Sequence, residues 1–232
     1  MKFETRVSDI IRRTYNVKSF RFPRPNTFNF TPGQFMFVTI KNDEQQLTKH
    51  FTISSSPTEN DFIEFTKKLT DHPFSIALSK SKVGDEANID GPYGDFTFQG
   101  EYDRVGMLSG GIGITPLRSI CKYCTDTRSE TKITLLYGNH TEEDIVFREE
   151  LEEMQVINRN MKVVFVLNEA SQTWKGYTAR IDAEMIRKEI PDYGKTLFFT
   201  CGPPAMVDAM EKLLKELHIP TAQIRKENFP GY

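Results

Sequence analysis

The chain has 232 residues, 38% hydrophobic, 12% aromatic and 27% charged, with 30 Lys+Arg against 32 Asp+Glu and a formal net charge of −2. Its 18 Phe and 8 Tyr supply surface to bury, which excludes a disordered chain, and neither half has the basic excess of a nucleic-acid binder. The longest apolar runs, such as Val163–Leu167 and Phe35–Val38, fall far short of the roughly 20 residues of a membrane span. The charged start, Met1-Lys2-Phe3-Glu4-Thr5-Arg6, lacks the apolar centre of an export signal, and an odd set of three cysteines fits a reducing compartment, so a cytoplasmic location is expected.

In chain order, the first hundred residues read as short strands. Phe3, Thr5 and Val7 alternate with charged neighbours, as do Phe20 and Phe22; Phe35–Ile40, Phe51–Ser55, Phe62–Leu69, Glu86–Asp90 and Phe96–Phe98 are further β-type runs. Turn signals at Pro23, Pro25, Pro32-Gly33, Pro57, Gly84-Asp85 and Gly91-Pro92-Tyr93-Gly94 separate them, and one helix is expected over 74–81. This grammar predicts a small antiparallel β-barrel or sandwich.

From Val105 the pattern changes to alternating strands and amphipathic helices. Strands are expected at Val105–Ser109, Ile133–Tyr137, Val163–Leu167, Thr196–Cys201 and Ile224–Phe229; helices at Thr115–Thr125, Asp144–Asn158, Asp182–Ile190 and Pro203–Leu217. That order predicts a doubly wound parallel α/β sheet. Thr115-Pro116 reads as an N-cap followed by a first-turn proline, and Glu142-Glu143-Asp144 as negative charge at a helix start. The boundary between the two grammars lies near Gly100–Asp103, dividing the chain into 1–101 and 102–232.

Two glycine corners sit between a predicted strand and a predicted helix. In Ser109-Gly110-Gly111-Ile112-Gly113-Ile114-Thr115-Pro116 the glycines allow a tight turn and a close approach to a pyrophosphate at a helix N-terminus, though Pro116 stands where the third glycine of G-x-G-x-x-G would be. The alternative is a tight connection without ligand. The second corner is Cys201-Gly202-Pro203-Pro204-Ala205-Met206, at a strand end of the same sheet. A third turn, Gly91-Pro92-Tyr93-Gly94-Asp95-Phe96, lies in the first half. Cys121-Lys122-Tyr123-Cys124 falls inside a helix and not at its N-terminus, so a plain buried pair is expected rather than a redox couple; the histidines at 50, 72, 140 and 218 have no metal-site spacing.

Together with Pro32-Gly33-Gln34-Phe35, Lys49-His50-Phe51-Thr52-Ile53-Ser54-Ser55 and Tyr137-Gly138-Asn139-His140, these corners resemble the ferredoxin–NADP reductase superfamily over nearly the whole chain. The resemblance implies an FAD-binding β-barrel at 1–101, an NAD(P)-binding α/β domain at 102–232, and a flavoprotein oxidoreductase without an attached iron–sulfur domain. It places Lys49 on the cofactor phosphate, Phe51 against the isoalloxazine and Thr52 near flavin N5, with His50 and Ile53 in the same cofactor-binding segment. Thr66, Lys67 and Lys68 are implied at the ribityl and phosphate groups, and Ser75 at the pyrophosphate, with His72 where the family has glycine. Lys49 keeps the charge of the family arginine without its fork.

For the nicotinamide nucleotide the resemblance implies Gly111, Gly113, Thr115, Pro116, His140, Glu169, Gly202, Pro203 and Met206. Cys201 is implied beside the nicotinamide, Glu227 as a proton source to N5 through Thr52, and Phe229 or Tyr232 as the aromatic covering the flavin. Glu169, a carboxylate where a ribose phosphate would sit, favours NADH over NADPH. The implied partner is a small acidic electron carrier such as ferredoxin or flavodoxin. Alternatives are a small acceptor, such as free flavin or a ferric chelate, and a role as one subunit of a larger complex. Lys2, Arg6, Arg12, Arg13, Lys18, Arg21 and Arg24 either steer such a carrier or lie on the wet face of alternating strands.

Overall fold

The computed structural model describes residues 1–42 and 45–229. The first half contains β1 (Lys2–Arg6), β2 (Asp9–Arg12), β3 (Val17–Pro23), β4 (Phe35–Asn42), β5 (Gln45–Thr52), β6 (Phe62–Lys68), α1 (Pro73–Lys80) and β7 (Glu86–Tyr93). The strands form two antiparallel sheets, β1-β7-β4-β5 and β2-β3-β6, and an Ile53–Phe65 bridge carries the end of β5 onto β6. Alternation sends Phe20, Phe22, Met36, Val38, Ile63 and Phe65 into one core, where Phe20 and Phe51 both stack on Phe65, at 5.2 and 4.5 Å.

Three features of this half differ from expectation. β5 begins at Gln45 and ends at Thr52, because its polar opening, Gln45-Gln46-Leu47-Thr48, is held by the ladder to β4 rather than by apolar alternation. β2 is not among the expected strands: its Ile10-Ile11 pair does not alternate, and the strand is held by its antiparallel pairing with β3. The strand expected over Phe96–Phe98 is absent: both rings leave the barrel sheets and pack on Phe199 of the α/β core, at 5.1 and 5.9 Å.

The second half contains β8 (Arg104–Gly110), α2 (Ile114–Asp126), β9 (Lys132–Asn139), α3 (Arg148–Ile157), β10 (Met161–Leu167), β11 (Tyr177–Thr178), α4 (Ala183–Glu189), β12 (Leu197–Gly202), α5 (Pro204–Glu216) and β13 (Ile224–Asn228). The parallel sheet runs β11-β10-β9-β8-β12-β13, so the chain winds outward from β8 and then returns to place β12 on its other side. The switch point of the sheet therefore lies between β8 and β12, and both glycine corners leave it there.

The helix starts are more elaborate than the expected caps. A 3-10 turn over Gly111–Gly113 precedes α2, Gly113 is the N-cap, and Thr115 lies inside the helix, donating to Ile112 O at 3.3 Å. Thr141 and Asp144 close a capping box on a separate 3-10 turn, Glu142–Asp144; α3 starts only at Arg148, after Phe147 adopts a left-handed φ of 61°. Asp182 caps α4 by accepting from Met185 N at 2.8 Å.

Cys121 and Cys124 are both buried on α2, and burial pushes both thiols up, that of Cys124 to about 12. Among the described residues no helix is long and apolar enough to cross a membrane. Much of the basic N-terminal stretch is consumed internally. Arg6 pairs with Glu86, Arg13 with Glu64 and Glu150, and Arg21 with Glu64, while Arg24 donates to Phe28 O and Pro57 O.

Candidate functional site

A cleft of about 670 Å³ opens where the two halves meet. One wall is the end of β5, Lys49 to Thr52, with Phe35 of β4 beside it; Thr66 and Lys67 of β6 and the start of α1 form the floor. Ile112 and Thr115 come from the first glycine corner, and Glu227, Asn228 and Phe229 from the end of β13. Strand and helix termini thus deliver polar groups to a space whose apolar lining includes Phe51 and Phe74, two rings tilted against each other at 5.3 Å.

Phe51 presents one face to Phe65 at 4.5 Å, and Lys67 Nζ stands 5.9 Å from the Phe51 ring centre. Lys67 is buried; burial first, and the charge of Lys49 second, pull its ammonium down to about 8. Exposed Lys49 and buried Lys67 both line this cleft, and two cations so placed favour an anion there. Thr66 also lines the cleft, but its hydroxyl is engaged at 2.7 Å with Ser19 Oγ and at 2.9 Å with Ser54 Oγ. Ser75 Oγ accepts from Thr70 N at 2.7 Å and closes the turn into α1. His72, the N-cap of α1, has an ordinary φ of −74°, so the absent glycine is not missed by the backbone.

Glu227 and Cys201 are paired across β12 and β13. Burial, and then the negative charge of Asp95, push the Glu227 carboxyl up to about 7, and its buried Oε2 has no hydrogen-bond partner among the described residues. Cys201 is fully buried, and burial with Glu227 nearby keeps its thiol neutral. Its Sγ donates to Gly113 O at 2.9 Å, so it ties one glycine corner to the other from behind the cleft walls.

A second cleft, of about 480 Å³, shares Ile112 with the first. It is framed by Gly110 and Gly111 of one corner, Pro203 and Met206 of the other, and Asn139 and His140 at the end of β9. Gly111 has a left-handed φ of 52° and open space where a side chain would project. Gly113 is the reverse: an added Cβ would lie 2.3 Å from Cys201 O. His140 Nε2 is 3.6 Å from Glu169 Oε1 at the exposed rim.

Most of the expected residues are brought together. Lys49, His50, Phe51, Thr52, Thr66, Lys67, Ser75, Thr115, Glu227 and Phe229 line the first cleft; Gly111, His140, Pro203 and Met206 line the second. Ile53, Gly113, Pro116, Cys201 and Gly202 stand behind these walls, Glu169 is at the rim, and Tyr232 lies outside the described residues. Lys68 does not join Lys67: successive residues of β6 point to opposite sides, and Lys68 reaches the second cleft.

Two lining residues were not among the expected site residues. Asn139 lines the second cleft with both side-chain polar atoms buried and without hydrogen-bond partners among the described residues. Arg180, following β11, lines it too. Asn139 sits within Tyr137-Gly138-Asn139-His140, so its motif was visible; nothing local marks Arg180.

These features fit the two groups that the resemblance implies. The paired cations and stacked ring suit a flavin with its phosphates, and the open Gly111 turn and unsatisfied Asn139 amide suit a nucleotide. Comparison with known proteins agrees. Residues 4–98 match the oxidoreductase FAD-binding domain model, and residues 107–212 the oxidoreductase NAD-binding domain model. The chain is 30% identical to the glycine betaine monooxygenase reductase subunit of Chromohalobacter salexigens, covering 98% of this chain but 64% of that protein. It is 33% identical to NADH-cytochrome b5 reductase 1 of Aspergillus terreus, covering 88% of this chain and 74% of that one. Its fold is similar to the cytochrome b5 reductase domain of Ulva prolifera nitrate reductase, with a TM-score of 0.85 at 23% identity over 98% and 97% of the two chains.

Proposed function

Because the chain belongs to the ferredoxin–NADP reductase superfamily of FAD- and NAD-binding oxidoreductases, we propose that it takes electrons from NADH and delivers them to a separate one-electron carrier protein. The observation that carries this reading is the meeting of the two clefts at Ile112. Residues 1–101 hold the flavin in this reading, and 102–232 the nucleotide.

Bound FAD supplies the conversion of a two-electron donor into single electrons. The protein's own residues orient and polarise. Lys49 and Lys67 would neutralise flavin phosphates, Phe51 would support the ring system, and Thr52 would hold it by hydrogen bonding. On the nucleotide side, the turn at Gly111 receives the pyrophosphate, Lys68 reaches it from the barrel half, and Asn139 satisfies its amide on the ligand. Glu227, whose carboxyl burial and Asp95 raise to about 7, holds a proton in the cleft that Thr52 also lines. The His140–Glu169 pair at the rim disfavours a ribose phosphate and supports NADH.

The acceptor side is supported by an aromatic patch rather than by the basic stretch. Phe35, Phe37, His50 and Tyr93 pack ring against ring at 5.6–6.0 Å; Phe35 and His50 line the first cleft, while Phe37 and Tyr93 are 37% and 41% exposed. With Arg13, Arg21 and Arg24 bonded internally, steering by those cations loses its support. The relatives' names, a monooxygenase reductase subunit and a cytochrome b5 reductase, support delivery to a protein.

The test is anaerobic titration of the purified yellow protein with NADH and NADPH, then reduction of cytochrome b5, ferredoxin and flavodoxin across a salt series. Bleaching by NADH and weakly salt-dependent transfer to one carrier, slowed in F37S and Y93S, are expected. A protein that binds no flavin defeats the reading; transfer only to free flavin or ferric chelate defeats its carrier half.

A further inference from the structure

Arg118 lies on α2, three residues beyond Thr115, and is 3% exposed. All of its donor nitrogens are used. Nη1 donates to Ser54 O at 3.1 Å and to Glu59; Nη2 donates to Glu59 Oε1 at 3.1 Å and Glu150 Oε2 at 2.6 Å; Nε donates to Glu150 Oε2 at 2.9 Å. An arginine has five N–H donors, and this pattern occupies each of them.

The bonds close into a ring that passes twice between the halves of the molecule. Ser54 Oγ donates to Glu64 Oε1 at 2.9 Å, Arg13 joins Glu64 Oε2 at 3.0 Å to Glu150 Oε1 at 2.5 Å, and Glu150 returns to Arg118. Ser119, next on α2, donates to Ser55 O at 2.6 Å. Phe147 lies under both arginines, 4.7 Å from Arg13 and 5.6 Å from Arg118, and holds its left-handed backbone there.

The location of the ring matters more than its strength. Ser54 is two residues past Thr52, and Thr115 is one helical turn before Arg118; Thr52 and Thr115 both line the first cleft. α2 starts from the corner that frames the second cleft. We propose that Arg118 is a positioning residue: by bolting the start of α2 to the backbone after β5, it sets the separation of the two clefts and hence of their occupants. This rests on the flavin and nucleotide reading above. The guanidinium fork holds two carboxylates and a carbonyl in one plane, which a lysine at this place cannot do. Misplacement of reacting groups by about 1 Å slows reaction on the order of a hundredfold while leaving each binding surface intact.

The experiment uses the flavin-loaded full chain. The three native cysteines are buried, so spin labels on K80C and E153C, one exposed site in each half, report the distance between halves. R118M is expected to broaden or shift that distance distribution with the flavin spectrum retained. At saturating NADH its flavin reduction slows by roughly tenfold or more, with KM changed less than threefold, and R118K is intermediate. An unchanged distance distribution overturns the proposal, whatever the rate; so does a shifted distribution with a wild-type rate. If R118M does not fold, E59Q and S119A carry the same expectation in weaker form, and unchanged distances and rates in both overturn it. Failure of the underlying reading is distinct, because the parent protein would then bind no flavin.

Discussion

Replacing Gly113 by alanine sets two effects of opposite sign against each other. The residue has φ −60° and ψ −10°, an ordinary right-handed conformation, so alanine adds no backbone strain and, by narrowing the freedom of the unfolded chain, would alone stabilise by about 0.4–1 kcal/mol. The new Cβ, however, would lie 2.3 Å from Cys201 O, 2.6 Å from Gly202 Cα and 2.7 Å from Cys201 C. A carbon and a carbonyl oxygen rest at about 3.3 Å, so the two glycine corners must part by roughly 1 Å. The obstructing atoms are backbone, and no rotamer change relieves them. The Cys201 Sγ to Gly113 O bond, now 2.9 Å, stretches or breaks with the same movement. Overpacking of this kind destabilises by about 1–3 kcal/mol, and displacing the nucleotide corner by 1 Å lowers reduction on the order of a hundredfold. G111A is the control for stability alone, because an added Cβ there meets no protein atom within 4 Å and only the left-handed φ of 52° is penalised, by about 1 kcal/mol; its rate is expected to fall as well, since that Cβ projects into the nucleotide cleft. Stopped-flow flavin reduction and chemical denaturation measure both variants. A G113A protein with wild-type rate and raised stability refutes the steric argument.

The flavin reduction rate should show a pH limb near 7 that disappears in E227Q, since burial and Asp95 raise that carboxyl to about 7; an identical limb in E227Q would assign it elsewhere. D95N should move the limb to lower pH by removing the like charge, without returning it to the ordinary carboxylate value, because burial is the larger cause. As a raised carboxyl, Glu227 also makes the folded state less stable as pH rises from about 4.5 to 7, and E227Q should flatten that slope in urea titrations. E64A removes a fully buried carboxylate that pairs with Arg13 and Arg21, and should lower unfolding free energy by about 3–5 kcal/mol; a loss under 1 kcal/mol would show the pairs to be energetically idle. Thiol reagents at pH 7.5 should leave all three cysteines unmodified in the folded protein, and rapid labelling of Cys121 or Cys124 would contradict their burial.

What the sequence disclosed and what it hid follow from the range of the forces involved. Glycine and proline act locally, so the corners at Gly110–Gly113 and Gly202–Pro204 were legible, and apolar alternation marked β3, β4 and β6. The opening of β5 was hidden because Gln45 and Gln46 are strand residues by pairing alone. Lys67 and Lys68 read as one basic pair, yet strand parity sends them to different clefts. Cys201 read as a neighbour of the reacting groups, whereas its thiol braces the corners from behind. The ring through Arg13, Glu64, Arg118 and Glu150 joins residues up to 137 positions apart, and no local pattern announces it. The same long range bears on the basic N-terminal stretch, for which steering and a wet strand face stood as equal readings: Arg13 is paired by acids far along the chain.

Phe96 and Phe98 leave the barrel sheets to lodge against Phe199. Reductases of this kind invite modular engineering, in which a flavin half from one parent is spliced to a nucleotide half from another. A splice after residue 101 would carry these rings away from the pocket shaped to receive them, exposing apolar surface worth about 2–3 kcal/mol per ring. Chimaeras should therefore be joined before Phe96, so that the segment travels with the partner whose core it completes.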